Sequence, residues 1–374
     1  MNKILIATDS FKGSLSAPEA CQIIATQARQ RFPWAEVLEL PIADGGEGLV
    51  QVILQTLQGQ LRTIPVHDPL GRPIGAAYAR LDSGAAIIEM AAAAGLPFLQ
   101  KNELDPMLTS TVGVGELILD AIEIGADPIY IGLGGSATVD GGVGAANALG
   151  IRFLNEEGGV ATSGGELQEI ERVDLRGLRE LKFSGRIIFL TDVNNPLCGP
   201  NGAAVVFGPQ KGATTEQVFQ LDQGLGKLAT LVERESGLDL RDTPGMGAAG
   251  GFALPFVAFM GAEIRSGIDF VLDLLKFDKK LVGTDLVITG EGRTDAQSAM
   301  GKAISAVTRR SRAAGVRVAV ISGALGEGAQ KMVELGVSDL VQATPAGQSL
   351  EEALAHASEN LANAAREYFE AIKN

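Results

Sequence analysis

The chain has 374 residues, of which 46% are apolar and 5% aromatic, and it carries a formal net charge of −14. At this length one compact domain would be unusual, so two hydrophobic cores are expected. The negative charge, together with the lack of any block rich in lysine or arginine, makes nucleic acid and anionic membrane surfaces poor partners. The 48 glycines and the abundant Ala, Val and Ile are typical of chains in which strands alternate with helices across tight turns.

The cysteines and the first residues indicate a reducing compartment. Cys21 and Cys198 lie far apart in unlike settings, so a disulfide framework is excluded. The apolar run at residues 3–7 is too short for a signal peptide, and no apolar run reaches the roughly 20 residues of a membrane span. These observations predict a cytoplasmic protein with no membrane partner.

The N-terminal part of the chain predicts a β-α-β-α pattern. Residues 3–7 fit a short strand of a buried parallel sheet. Ser16, Pro18 and Glu19 mark the start of a helix, with Ser16 as the N-cap and Glu19 at the capping-box position, and this helix is expected to continue through Arg29. A second strand and a second helix are predicted at residues 36–41 and 48–57.

The pattern changes near Thr63 and returns near Asp285. Short β-like runs joined by turns predict a meander rather than a crossover, at residues 63–67, 74–81 and 85–89. Further strands and helices of the middle part are predicted at residues 112–124 (helix), 128–133 (strand), 143–149 (helix) and 186–190 (strand). The C-terminal part is expected to contain strands at residues 285–289, 316–321 and 339–342 and helices at 302–314, 326–335 and 349–372.

Both ends of the chain alternate strands and helices, whereas the middle is mixed, so a discontinuous organisation is expected. Residues 1–63 and 284–374 would form one α/β domain, with a parallel sheet built by both termini, and residues 64–283 would form an inserted mixed α/β domain. The alternative is two consecutive domains that divide near residue 180.

Five acidic loops framed by glycine are the most informative feature of the sequence. They are residues 7–13, 43–48, 132–142, 191–196 and 289–295. Glycine allows backbone amides to approach an anion, and carboxylates beside it can hold a divalent cation. Because these two features together are what phosphoryl transfer needs, the sequence indicates an enzyme that handles a phosphorylated ligand.

The first and the fifth loops combine both signs of charge. Their candidate substrate-binding residues are Asp9, Ser10, Lys12, Glu291, Arg293, Thr294 and Asp295. The first loop follows a strand and precedes a helix, which is where open α/β sheets bind ligands. Lys12 can act as a point charge on a phosphate or carboxylate, and Arg293 can bind either group bidentately. The alternative is that these residues only form solvated turns.

The second and the fourth loops offer carboxylates. Asp44 and Glu47 lie among three glycines, whose flexibility would be costly in a plain connection, and this favours contact with a metal or a ligand hydroxyl over a helix cap. Asp192 follows an apolar strand and precedes two asparagines, so it could bind Mg²⁺ or accept a proton from a substrate hydroxyl. A simple turn cap is the alternative for Asp192.

The third loop holds the longest glycine cluster. Its glycine and hydroxyl residues are Gly132, Gly134, Gly135, Ser136, Thr138, Gly141 and Gly142. Its backbone amides, with the N-terminus of the helix predicted at 143–149, are expected to form an anion-binding nest. The loop matches neither the usual P-loop nor a clean dinucleotide fingerprint, and a tight structural turn is the alternative.

Taken together and in this order, the five loops resemble the motifs of the bacterial glycerate kinase family, type I, over essentially the whole chain. The motifs are DSFKG at residues 9–13, ADGGEG at 43–48, GGSAT at 134–138 with DGG at 140–142, DVNNPL at 192–197 and TGEGRTD at 289–295. Each is weak singly, whereas five in register are specific. The resemblance implies two α/β domains, one of them flavodoxin-like with a Rossmann-like parallel sheet, and an active site in the cleft between them.

The same resemblance implies ATP-dependent phosphorylation of D-glycerate at the 2-hydroxyl, which gives 2-phosphoglycerate and ADP. Arg293 and Lys12 would hold the glycerate carboxylate, and Asp192 would receive the hydroxyl proton, so these three residues are the expected catalytic residues. The expected ATP-binding residues are Gly134, Gly135, Ser136, Thr138 and Gly141. Mg²⁺ would be held by Asp44, Glu47 or Asp192. A monomer and a homodimer are equally compatible with the sequence.

Several alternatives stay open at this point. The kinase could give 3-phosphoglycerate or act on another small hydroxy acid, because the two hydroxyls of glycerate are one carbon apart. A nicotinamide-dependent oxidoreductase would need an acidic ribose partner about 20 residues beyond a proper fingerprint. A non-catalytic protein that binds small anions would not need so many carboxylates around its glycines.

Overall fold

The computed structural model describes residues 1–43, 45–46, 48–296, 298 and 303–372. Its strands are β1 (Lys3–Ile6), β2 (Glu36–Glu39), β3 (Gly59–His67), β4 (Pro73–Leu81), β5 (Ala86–Glu89), β6 (Ile129–Gly132), β7 (Arg152–Leu154), β8 (Arg172–Asp174), β9 (Ile187–Leu190), β10 (Glu263–Arg265), β11 (Leu286–Thr289), β12 (Arg293–Thr294), β13 (Arg317–Ser322), β14 (Ala324–Leu325) and β15 (Asp339–Gln342).

The α-helices are α1 (Ala17–Arg31), α2 (Leu49–Thr56), α3 (Ala91–Ala94), α4 (Val112–Glu123), α5 (Val143–Ala148), α6 (Arg176–Glu180), α7 (Ala203–Phe207), α8 (Thr215–Ser236), α9 (Leu254–Met260), α10 (Gly267–Leu274), α11 (Phe277–Leu281), α12 (Ala303–Ala313), α13 (Lys331–Glu334), α14 (Leu350–Ala355) and α15 (Ala357–Ala371). Within the described ranges, none of them combines the length and the apolarity that a bilayer crossing requires.

One compact unit, here called the terminal unit, comprises Met1–Asp44, Gln51–Thr56 and Ile268–Asn374. Its five-stranded sheet has the order β15-β13-β11-β1-β2, and all neighbouring strands are parallel. Numbered within the unit, this is the 2-1-3-4-5 order of flavodoxin-like sheets. Helices α1 and α15 pack together over Ile4 and Ile6, and the apolar side chains of these elements form one buried core.

The second compact unit, the inserted unit, comprises Gly45–Val50 and Leu57–Gly267. Its six-stranded sheet has the order β10-β9-β6-β5-β4-β3. Strands β5, β6, β9 and β10 are parallel to one another, whereas β4 pairs antiparallel with both β5 and β3. Helices α4, α5, α8 and α9 contribute to the core beside this sheet. In each sheet the parallel strands end at one edge, which is where the functional loops begin.

The two sheets confirm the predicted fold class, a parallel α/β sheet built by both termini together with a mixed α/β part. The sequence places the boundaries at 63/64 and 283/284, whereas the chain passes between the compact units at 44/45, 50/51, 56/57 and 267/268. The later boundary moves because α10 and α11 are tied to α12 of the terminal unit. The Arg310 guanidinium on α12 lies 2.6–3.3 Å from carboxylate oxygens of Asp269, Asp273 and Asp278.

Local signals explain which predicted elements form as expected. The first helix has the predicted capping box, in which the Ser16 amide donates to Glu19 at 2.9 Å. The helix predicted at 326–335 is wrong, because the chain has a left-handed φ of 79° at Gly328 and α13 covers only Lys331–Glu334. The single helix predicted at 349–372 is also wrong, since a non-helical backbone at His356 separates α14 from α15. The 22-residue helix α8 has no counterpart among the predicted elements.

Candidate active site

A cavity of about 500 Å³ opens at the carboxyl edge of the terminal unit's sheet. The loops that follow β1 and β11 line it, and these strands are neighbours where the strand order reverses. Open α/β sheets bind ligands at such a switch point. Six of the seven predicted substrate-binding residues line the cavity: Asp9, Ser10, Lys12, Glu291, Arg293 and Asp295.

The opposite wall of this cavity comes from residues that the sequence did not indicate. Leu350, Ala353 and Leu354 of α14 provide an apolar face, and Asn360 of α15 lies nearby on the same wall. The spacing i, i+3, i+4 of the α14 residues is an amphipathic signal. This signal did not indicate a site, because the sequence predicts one long helix over residues 349–372.

Lys12 and Arg293 are the basic residues among the described lining of the cavity, and both are exposed. Arg293 lies in β12, which pairs in parallel with β14, and its Nε is 3.7 Å from a carboxylate oxygen of Asp295. The Arg293 side chain is 68% exposed, and such exposed ion pairs contribute little free energy. The guanidinium can therefore leave Asp295 for an anion in the cavity at small cost.

Thr294, the seventh predicted residue, lies behind the cavity rather than on its wall. It is fully buried, its hydroxyl is 3.3 Å from Glu291 Oε1, and it shares a 2.7 Å hydrogen bond with Ser322 Oγ. Ser298 also donates to the Glu291 carboxylate. Thr294 is thus placed to orient Glu291, which itself reaches the cavity.

Asp9 connects the first and the fifth loops. Its amide donates to the Gly290 carbonyl at 2.9 Å, and its carboxylate accepts the Ser10 amide at 2.7 Å. Asp9 is only 7% exposed, whereas Ser10 is half-buried. The contact fixes the relative position of two loops that lie almost 300 residues apart in sequence.

Three of the five loops meet at the carboxyl edge of the inserted unit. The segment at Gly45 and Gly46 crosses the ends of β6 and β9 so closely that side chains are excluded. A Cβ on Gly132 would lie 2.3 Å from the Gly45 carbonyl oxygen, and a Cβ on Gly134 would lie 2.5 Å from the Cα of Gly46. The glycines of the second and third loops are therefore needed for close backbone packing as well as for any ligand.

The third loop begins with a turn at Gly134, Gly135 and Ser136. Gly135 is exposed and has a φ of +76°, in the left-handed region that favours glycine. Among the residues that the structure describes, the amides of these three residues donate to no protein acceptor. Consecutive amides around a left-handed residue form a concavity that suits an anion. This turn is called the amide turn below.

The remainder of the third loop is buried. Thr138 and Gly141 are buried. The Asp140 carboxylate accepts hydrogen bonds from the Thr111 amide at 2.9 Å and from the Gly142 amide at 3.0 Å. The expectation that the N-terminus of the following helix binds an anion is therefore wrong, because Asp140 already occupies it. Burial raises the pKa of the Asp140 carboxyl, and hydrogen bonds from Thr111 and Gly142 oppose that shift.

The register of the sheet brings Asp192 to the same edge as the amide turn. Strands β6 and β9 pair with Gly132 opposite Leu190, so Gly134 and Asp192 each lie two residues beyond this last pair. Asp192 is half-buried, and the Ser266 hydroxyl donates to its Oδ1 at 2.7 Å. A carboxylate held by a hydrogen bond thus follows β9, the neighbour of the strand that the amide turn follows.

Of the predicted metal ligands, Asp192 falls within the described residues, whereas Asp44 and Glu47 fall outside them. Leaving those two positions aside, no three His, Cys, Asp or Glu side chains of the described chain are grouped so that they could hold a metal. Mg²⁺ is commonly held by only one or two carboxylates together with phosphate oxygens and water. A single oriented carboxylate at the same sheet edge as the amide turn is compatible with that ion.

Glu89 is a carboxylate of this edge that the sequence did not indicate. It ends β5 opposite Gly132, and its Oε1 accepts the Val50 amide at 2.8 Å. The contact attaches the start of α2 to the edge of the sheet. Because Glu89 ends a strand without an adjoining glycine cluster, no motif marked it.

Lys211 is a further residue that sequence reasoning missed. It is 2% exposed, and its Nζ donates to Ser136 Oγ at 2.7 Å and to the Thr138 carbonyl at 2.6 Å. Burial lowers the pKa of the Lys211 ammonium to about 7, while the Asp140 carboxylate acts in the opposite direction. The sequence Pro-Gln-Lys-Gly around it is typical of a surface turn, so nothing local indicated a buried cation.

Comparisons with known proteins extend over the whole chain. The sequence model of the Glycerate kinase family matches residues 4–373. A glycerate kinase of Bacillus subtilis (strain 168) is 40% identical over 373 residues, which are 99% of this chain and 98% of that protein. A glycerate 2-kinase of Escherichia coli (strain K12) is 40% identical over 366 residues, 97% of this chain and 96% of that protein.

The backbone is similar to a solved structure over the same extent. A crystal structure of a protein from Salmonella typhimurium LT2, provisionally described as glycerate kinase 2, aligns with a TM-score of 0.84 and 40% sequence identity. The alignment covers 99% of this chain and 97% of that one. All five glycine-framed loops therefore lie inside the region of similarity.

The lowered pKa of Lys211 predicts a pH dependence of stability. The unfolded chain binds this proton up to the ordinary pKa of 10.5, but the folded chain binds it only up to about 7, so unfolding takes up a proton between these values. Raising the pH through this window therefore stabilises the wild type relative to Lys211→Met, by at most about 1.4 kcal/mol per pH unit. Urea unfolding of both proteins at about pH 7, 8 and 9 measures the difference.

The matched control is Lys227→Met, because Lys227 is a partly exposed lysine that pairs with Glu171 at 2.6 Å. Its free-energy difference from the wild type, measured at the same pH values, is the reference for the Lys211→Met series. If the Lys211→Met difference changed with pH no more than this reference, the folded protein would hold Lys211 with an ordinary pKa.

Proposed function

Because this chain belongs to the glycerate kinase family, whose members are phosphotransferases with an alcohol acceptor, we propose that it transfers the γ-phosphoryl group of ATP to D-glycerate. The acceptor is the 2-hydroxyl, and the products are 2-phosphoglycerate and ADP. The name of the Escherichia coli relative, a glycerate 2-kinase, supports this regiochemistry. The family assignment leaves no support for the alternatives of a nicotinamide-dependent oxidoreductase and a non-catalytic anion-binding protein.

The observation that carries the proposal is the pairing of the amide turn with Asp192. The three amides of the amide turn follow β6 and have no protein acceptor among the described residues. Asp192 follows the neighbouring strand β9, and both the turn and Asp192 begin two residues beyond the last β6–β9 pair. Phosphoryl transfer requires positioning and charge neutralisation more than a covalent nucleophile. Amides suit the phosphate oxygens, and the carboxylate suits the attacking hydroxyl.

In the proposed reaction the 2-hydroxyl oxygen forms a bond to the γ-phosphorus while the bond from that phosphorus to the leaving oxygen of ADP breaks. Asp192 accepts the hydroxyl proton, and its hydrogen bond from Ser266 holds the carboxylate in one orientation. Gly134, Gly135 and Ser136 bind phosphate oxygens through their amides. Thr138 and Gly141 support the turn from the buried side, since neither is exposed.

Mg²⁺ would be held by Asp44, Glu47 or Asp192 together with the phosphate oxygens of ATP. When bound, the ion supplies charge neutralisation to the phosphates. Asp192 can serve either as metal ligand or as proton acceptor, and its substitution distinguishes these roles, as described below.

The carboxylate of glycerate is assigned to Lys12 and Arg293, the basic residues of the described cavity lining. Both side chains are exposed to a ligand, and a planar guanidinium binds a carboxylate bidentately. The predicted position of the active site in a cleft between domains stays a prediction.

A second candidate substrate is a longer hydroxy acid. The cavity of about 500 Å³ falls in the range that holds drug-sized ligands, and α14 gives it an apolar wall. A three-carbon acid offers no apolar surface to this wall. Competition by longer 2-hydroxy acids in the assay below would identify such a preference.

The compartment proposed is the reducing cytoplasm, and the two cysteines support it. Both are free, and burial raises the pKa of the Cys21 thiol to about 11, so this group does not react readily as a thiolate. Whether the protein is a monomer or a homodimer stays a prediction.

The first test is a coupled assay with D-glycerate, ATP and Mg²⁺. ADP release is followed directly, and the product is given to enolase alone. We expect immediate formation of phosphoenolpyruvate, because enolase accepts 2-phosphoglycerate and not the 3-isomer. A requirement for added phosphoglycerate mutase would move the attack to the 3-hydroxyl, and no ADP release that depends on glycerate would reject the substrate.

The role of Asp192 is tested by Asp192→Asn. If Asp192 accepts the proton, kcat falls by about 10²–10⁴-fold while both KM values and the Mg²⁺ concentration for half activity change little. If it mainly holds the ion, the Mg²⁺ requirement rises instead. Glu263→Gln on β10 of the same sheet is the control, since that carboxylate pairs with Arg265 on the surface. An Asp192→Asn enzyme with wild-type kcat and Mg²⁺ requirement would exclude both roles.

The carboxylate anchor is tested by Arg293→Ala. A charge-assisted hydrogen bond contributes about 1.5–3 kcal/mol, so the KM for D-glycerate is expected to rise by roughly ten- to hundredfold while the KM for ATP changes little. Arg312→Ala, in the same unit but outside the cavity lining, should behave as the wild type. An unchanged KM for D-glycerate in Arg293→Ala would show that the substrate carboxylate is bound elsewhere.

A further inference from the structure

The amide turn can bind an anion only if its three amides keep one common direction. Two backbone hydrogen bonds hold the turn. The Leu96 amide donates to the Gly135 carbonyl at 3.0 Å, and the Ala137 amide donates to the Ala94 carbonyl at 2.8 Å. These two bonds attach the turn to Leu96 and to Ala94, the last residue of α3.

Lys211 adds a further attachment through its side chain. Its ammonium group bridges Ser136 Oγ and the Thr138 carbonyl, which lie on either side of Ala137. Thr138 belongs to no strand or helix, so its buried carbonyl is not paired in a regular ladder. A buried carbonyl needs a donor, and the lysine supplies it. One side chain therefore links the exposed turn to the buried half of the third loop.

The direction of Lys211 is set by its own segment. Residues Pro209–Lys211 form a 3₁₀ turn that ends at Gly212, whose φ is +95°. A Cβ on Gly212 would lie 2.1 Å from the Leu104 carbonyl oxygen, so the chain packs against this backbone without room for a side chain. The lysine is thus presented to the third loop by a backbone that has little freedom.

We propose that Lys211 is a positioning residue for phosphate binding, which holds the amide turn in the conformation that receives the phosphates of a nucleotide. At 2% exposure it acts through Ser136 and Thr138 rather than by touching the ligand. Its charge, when present, also adds positive potential behind the amides. The inference rests on the proposed function for the identity of the ligand.

The test compares Lys211→Met, Lys211→Gln and the control Lys227→Met in the full-length protein. Binding of ADP with Mg²⁺, and of pyrophosphate as a second probe, is measured by calorimetry. Displacement of catalytic groups by about an ångström can cost a hundredfold, so we expect Lys211→Met to weaken ADP binding by about ten- to hundredfold. In the kinase assay the KM for ATP rises accordingly, while the KM for D-glycerate changes by less than about twofold.

Lys211→Gln keeps hydrogen-bond donors without the charge and is expected to lie between the wild type and Lys211→Met. It also serves as the variant of choice if Lys211→Met fails to fold. Hydrogen exchange without nucleotide gives a local readout. Peptides that cover residues 133–139 should exchange faster in both variants, whereas peptides from α8 should match the wild type.

Wild-type ADP affinity and wild-type exchange in a folded Lys211 variant would overturn the inference. A wild-type protein that binds neither ADP nor pyrophosphate would overturn it as well. If ADP binding depends on Lys211 but the wild type does not phosphorylate D-glycerate, the inference is supported and the proposed substrate is rejected.

Discussion

Parallel strand pairing determines where the functional groups of this chain lie. In a parallel sheet the strands end at one edge, so residues that follow neighbouring strands become neighbours in space however far apart they are in sequence. Asp9 and Gly290 are joined in this way in the terminal unit, and Gly134 and Asp192 are brought to the same edge in the inserted unit. The register depends on apolar strands, since β1, β9 and β11 are almost completely buried. A slip of the register by one residue would move each of their side chains to the opposite face of the sheet and disrupt the packing of the core. The register, and with it the position of the loop after each strand, is therefore strongly specified.

The third loop depends on two buried ionisable groups with opposite tasks. Asp140 accepts amide hydrogens from Thr111 and Gly142, whereas Lys211 donates to a hydroxyl and a carbonyl of the same loop. Burying such groups is costly unless they are hydrogen-bonded, and each of these is. Their bonds use up polar groups of the buried half of the loop. The amides of the turn at residues 134–136 are left for a ligand.

The parts of the structure that could be predicted from sequence are those with a local cause. The capping box at Ser16 and Glu19 correctly gives the start of α1, and the glycine-framed loops correctly follow strands. The burial of Thr138 could not be predicted, because a run of glycine and hydroxyl residues looks the same whether it faces solvent or a buried side chain such as Lys211. Lys211 was missed for a related reason. Its burial depends on contacts with Ser136, 75 residues earlier in the sequence, and a lysine between proline and glycine is normally solvated.

An acidic protein must supply positive potential locally if it is to bind the two anionic substrates of the proposed reaction. The net charge of −14 would repel both anions at long range, but at physiological ionic strength this repulsion is screened beyond roughly 8–10 Å. Binding therefore depends on short-range groups. Lys12 and Arg293 bring full charges to the cavity, whereas the amide turn offers partial charges that neither titrate nor need to be moved into place. A turn of backbone amides can attract phosphate without the burial of further cations. Glycine rather than lysine therefore suits the amide turn of this acidic chain.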